Sequence, residues 1–160
     1  MAGAGARLAL ERGDARTPVR VGVEPAGTVE PDATVRARYR IADWDPGNAV
    51  VSVVLAAYGE VAGHFCEVRH ATSLGQAAWS NASLGDRFVR APCPYDAREG
   101  VLQLRLRADS LSASHATTEV TLLGAMATTR QKWRIACFVE AVGRSGPVAV
   151  ELEELRVDRD

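Results

Sequence analysis

The side chains best suited to chemistry in this sequence are three histidines, three cysteines and a set of arginines. His64, Cys66 and His70 fall at even spacing, so an extended segment over 61–70 puts all three on one face. Imidazole and thiolate are ligands for zinc or copper. Along a flat strand, however, residues six apart lie about 20 Å from one another, beyond the reach of one ion. The spacing therefore predicts ordinary surface histidines around a buried cysteine, with no metal and no cofactor.

Carboxylates at close spacing are the other catalytic candidates. Asp43 with Asp45, and Glu151 with Glu153 and Glu154, could supply an acid and a base. The first pair sits in a turn-forming stretch with Pro46 and Gly47, the second on an alternating segment that reads as a solvated strand face. No G-x-S-x-G nucleophile turn occurs, and no phosphate-cradling or dinucleotide-type glycine spacing. On these grounds the chain is not expected to be an enzyme.

Arginines supply 18 of the 19 basic residues, Lys132 being the one lysine, as a GC-rich coding sequence would produce. Arg36, Arg38 and Arg40 form one row, and Arg105 with Arg107 a second. Such rows can grip phosphate or sulfate through forked guanidinium donors. With a formal net charge of -1 and few interleaved aromatics, the expected partners are instead Glu151, Glu153 and Glu154 across a sheet, with no nucleic acid and no membrane bound.

The elements that must position these residues follow a period of two. Val19, Val21 and Val23 alternate with polar residues, as do Val35, Ala37, Tyr39 and Ile41 with three arginines. Residues 49–55 are nearly all apolar and β-branched, as a central strand requires. Further strands are expected at 61–68, 77–81, 88–90, 102–106, 117–123, 133–142 and 147–157, with a proline corner at 92–94. No segment shows a helical stripe. Residues 1–17 read as a loose leader and 18–160 as a single all-β domain, an antiparallel β-sandwich or jelly roll. At 160 residues and 47% apolar content the chain is long enough to bury a core without disulfides, and Cys66, Cys93 and Cys137 are an odd set.

The order of several short motifs resembles the galectin family. The segment 29–38 is similar to the opening turn and strand, and His64-Phe65-Cys66-Glu67-Val68-Arg69 to a decayed H-F-N-P-R signature. Asn81 follows where the family has V-x-N, Leu84-Gly85 stands for W-G, and Pro94-Tyr95 for the later F-P-F corner. Gly146, Leu155 and Val157 resemble the closing strand. The resemblance implies galectin-like topology over about 17–157, cytoplasmic synthesis and release without a signal peptide.

It also implies a binding groove, in which the departures matter. Cys66 replaces an asparagine, Val68 falls where an arginine belongs, and Leu84 takes the place of the stacking tryptophan. Arg87 and Val89 occupy the positions of a glutamate and a second arginine. A one-residue shift turns a side chain to the other face, unless a bulge restores it. The ligand-contacting candidates are then His64, Asn81, Arg69, Arg87 and Arg90. The resulting expectation is a protein-interaction module with a degenerate sugar site, binding a protein partner. The alternative is a divergent lectin holding a glycan or anionic sugar near His64. Pairing of terminal strands would give a homodimer.

Overall fold

Val35, Ala37, Tyr39 and Ile41 are buried, while Arg36, Arg38 and Arg40 between them are exposed, so the predicted amphipathic strand forms as read. The computed structural model describes residues 2–3, 5–14, 16–62, 64–73, 77–84, 87–92, 98–108, 110–115 and 131–159; for 2–3, 77–84 and 87–89 the description is of backbone. The strands expected at 117–123 and the corner at 93–94 lie outside these residues.

Among the described residues twelve strands run in chain order: β1 Ala2–Gly3, β2 Ala6–Leu10, β3 Val19–Val23, β4 Ala33–Trp44, β5 Val50–Gly59, β6 Phe65–Ser73, β7 Ala77–Leu84, β8 Arg87–Pro92, β9 Glu99–Leu106, β10 Leu111–His115, β11 Trp133–Val142 and β12 Val148–Arg159. They make two antiparallel sheets. The first has the order β1-β12-β4-β9-β10, with β2 also on β12; the second is β3-β11-β5-β6-β7-β8. The all-β antiparallel sandwich expected from the alternating pattern is the fold, with no helix among the described residues.

The core lies between the sheets. Val35, Tyr39, Leu102, Leu104, Leu106 and Val150 from the first meet Val51, Val53, Leu55, Val68, Cys137 and Val139 from the second. β5 and β11 are buried on both faces, which explains their nearly unbroken apolar runs. The arginine row on β4 meets acids of β12: Arg36 lies 3.5 Å from Asp158, and Arg40 pairs with Glu151 and stands 3.7 Å from Glu153. That is the cross-strand role expected of it. Asp45, in the turn, accepts from the Gly47 amide at 3.1 Å.

Three readings need correction. The supposed leader carries β1 and β2, and Leu8 and Leu10 are buried against the core through pairing with β12. Its alternation is too short to stand out until a partner strand is present. β6 starts at Phe65 rather than residue 61 and continues to Ser73, while β10 went unrecognised in a Ser/Ala-rich stretch. His70 is not a surface histidine: it and His115 are among the largest fully buried side chains.

Both rings meet Tyr39, whose hydroxyl lies 2.6 Å from His70 Nδ1 and 3.0 Å from His115 Nε2. Gly100 faces Tyr39 in the ladder, and a Cβ there would stand 2.7 Å from both the Tyr39 hydroxyl and His115 Nε2. Burial lowers both histidines to about 4, with His70 adding to the effect on His115.

Candidate functional site

The second sheet is unusual on the face turned away from the core. Outward positions on a sandwich are ordinarily solvated and polar. Here Val54, Ala56, Ala136 and Phe138 form a second apolar cluster with Tyr58 packed against it. Ser52 and Glu140 are buried beside them, at 1% and 4% exposure, so this part of the face is covered rather than solvated.

Strand register sets what stands on it. One row crosses the whole sheet as Gly22, Phe138, Val54, Arg69, Asn81 and Arg90. The next row on one side carries Arg20, Glu140, Ser52 and Ala71, and the next on the other carries Ala136, Ala56 and Glu67. Charges therefore cluster around Arg69. Its guanidinium donates to Glu67 at 2.6 Å and to Glu140 at 3.2 Å, and Glu140 also accepts from Arg20 at 2.5 Å. The Arg20 guanidinium lies 4.9 Å from the Phe138 ring centre, within cation–π range. Two cations and two anions balance, as partly buried charges must.

Beside this cluster a cleft of about 430 Å³ is lined by Arg20, Gly22, Tyr58, Ala136 and Phe138 among others. Gly22 keeps its floor low, since a Cβ there would come 2.4 Å from that of Phe138. Burial, then the nearby Glu67 charge, raises Tyr58 above the usual tyrosine value, which keeps its phenol protonated. The arrangement thus offers an aromatic ring, an apolar floor, and carboxylate and guanidinium groups held in fixed orientation. Charged hydrogen bonds to hydroxyls combined with an apolar platform are the chemistry that grips a sugar ring. Glu67 and Glu140 come from different strands and are bridged by one guanidinium.

The residues singled out from the sequence divide between places. Arg69, Asn81 and Arg90 share the cross-sheet row, and Arg90 is exposed. Arg87 does not join them, because it pairs with Leu84 in the row of the inward-facing Cys66. His64 precedes β6 and sits half-buried, its Nδ1 2.9 Å from Gln131 Nε2. The side chains of Asn81 and Arg87 lie outside the described residues. Glu67, Glu140, Arg20 and Tyr58 were missed. One signal was available for Glu140: it is the sole acid inside the apolar run of β11.

No protein-family model and no curated protein matches the sequence. Solved structures do match in fold. An endo-β-1,3-glucanase from Pyrococcus furiosus is similar at a TM-score of 0.61 and 13% identity, over 86% of this chain and 65% of that one. A β-1,3-1,4-glucanase (lichenase) from a mouse hindgut metagenome matches at 0.59 and 12%, over 98% of this chain and 80% of that one. A pseudo β-1,3-glucanase of Mycobacterium tuberculosis matches at 0.60 and 11%, over 96% and 75%. The chain thus has the jelly-roll sandwich of glucanase-type proteins, and these likenesses show no galectin.

The expectation that the chain is not an enzyme is overturned by this comparison, since glycoside hydrolases share the fold across most of its length. Glu67 and Glu140, which flank Arg69, come from β6 and β11, far apart in sequence, and no local motif announces that they share a guanidinium.

Proposed function

We propose that the protein binds a glycan chain on the outward face of the second sheet, along the row from Phe138 past Arg69 to Arg90. The observation that carries this reading is the Glu67–Arg69–Glu140 arrangement beside the cleft at Tyr58 and Phe138. The glucan-degrading neighbours favour a carbohydrate over the protein partner first expected. Galectin-type recognition through His64 is a weaker candidate, because His64 stands before the strand and engages Gln131.

Retardation in native gels containing soluble β-1,3- or β-1,3-1,4-glucan tests the proposal. Mobility should fall with glucan concentration, and Tyr58→Ala should restore it. Unchanged mobility at every concentration of each glucan, with no competitor present, would reject glucan as the ligand.

A second reading has its own observation. Glu67 and Glu140 both accept from the Arg69 guanidinium, so cleavage of a bound sugar requires Arg69 first to withdraw. That leaves one carboxyl, protonated, to give its proton to the leaving oxygen and the other to attack the anomeric carbon or deprotonate the attacking water. Release of reducing ends from the same glucans, abolished in Glu140→Gln, is its test.

A further inference from the structure

A second cavity lies at one end of the sandwich, between the sheets rather than on the face described above. It measures about 530 Å³, within the ordinary range for small-molecule sites. Its floor is the core itself, Ile135 from β11 and Leu152 and Leu155 from β12, and its walls include Val23, Ala6 and Val157.

Two backbone features hold it open. The ladder between β12 and β4 slips between Leu152 and Glu154, and this bulge turns both Leu152 and Leu155 inward with two residues between them. Bulges of this kind concentrate beside binding sites. Across from β12, the β3–β4 connection arches over the cavity and is pinned where Val29 and Trp133 exchange two backbone hydrogen bonds of 2.8 Å. Gly27 in that arch has φ 93°, and a Cβ there would meet nothing within 4 Å, so the lip faces open space.

Charge at the mouth restricts the occupant. Arg159 and Glu24 both line it, so an anion gains one and opposes the other, and a cation does the reverse. An uncharged head can instead use the backbone amides and carbonyls of the arch. We propose that this cavity is a binding site for a neutral amphiphile, a hydrocarbon body of medium length ending in a hydroxyl or ester. It is independent of the glycan face and does not rest on that reading.

Fluorescence titration with N-phenyl-1-naphthylamine tests it on the full chain. The probe should bind saturably at one site, 1-decanol should displace it, and decanoate and decylamine should compete at least about tenfold less well. Ala6→Phe and Val157→Phe, which fill the cavity, should each weaken probe binding by about tenfold or more. Retention of the wild-type melting temperature identifies folded variants, and a rise in the wild-type melting temperature with 1-decanol gives a readout free of substitution. Soluble β-glucan should not displace the probe. Absence of saturable binding, no melting shift with 1-decanol, equal competition by decanoate, or full binding in both filled variants would each overturn the assignment.

Discussion

Arg69 reaches across β5 to Glu140, with Nη1 3.2 Å from Oε1, although their strands β6 and β11 do not pair. The side chains are 21% and 5% exposed, and the strand between them contributes only Val54, Ser52 and Ala56 at that level. Small or short residues on β5 are what let two long charged side chains meet above it.

Removing the cation should therefore cost more than removing the anion's charge. Arg69→Met leaves Glu140 with Arg20 alone and Glu67 without this guanidinium. An uncompensated buried charge costs about 3–5 kcal/mol, toward the lower end here because Arg20 stays in place. Glu140→Gln keeps the shape and should cost less. Urea midpoints at constant slope measure both; equal losses would mean the network is not organised around Arg69.

Acid should loosen the fold through its two buried histidines. His70 and His115 are held near 4 in the native state against 6.5 when unfolded, so the unfolded chain takes up protons first. Stability is then full above about pH 6.5 and falls as pH drops toward 4, by about 3 kcal/mol per histidine at the limit. Melting temperature should decline already between pH 7 and 5, and His70→Asn with His115→Asn should flatten that decline. A flat wild-type profile over this interval would contradict the assignment.

Gly100→Ala should be costly for a position in the body of a strand. The added methyl would sit 2.7 Å from Tyr39 Oη and His115 Nε2, and overpacking of this sort costs about 1–3 kcal/mol. Thermal unfolding reads it directly, and a neutral outcome would show that the Tyr39–His115 contact is looser than 3.0 Å implies.

Leu8→Ala should destabilise by about 2–5 kcal/mol, the usual range for a core leucine. Its 3% exposure places β2 within the folded domain. A change below about 0.5 kcal/mol, typical of surface positions, would return these residues to the status of a leader.

What the sequence made legible is what depends on a strand's own two faces. The alternation in β4, the buried run of β5 and the arginine–acid pairing with β12 all follow from period and charge. Register between strands is another matter. Arg69 and Arg90 looked displaced by one residue from a lectin pattern, yet the ladder sets both in line with Asn81, while Arg87 falls in the Cys66 row. The sharing of Arg69 by Glu67 and Glu140, and the meeting of His70 with His115 at Tyr39, depend on which strands become neighbours and on which sheets face. Neither is written in local spacing.

The most direct test of glycan binding on this face is heteronuclear NMR of the labelled 17.1 kDa chain titrated with a β-glucan hexasaccharide. Shifts gathered at Tyr58, Glu67, Arg69, Arg90, Phe138 and Glu140 are the expected result. Unmoved spectra at millimolar oligosaccharide, or shifts confined to the arginine row of the first sheet, would contradict it.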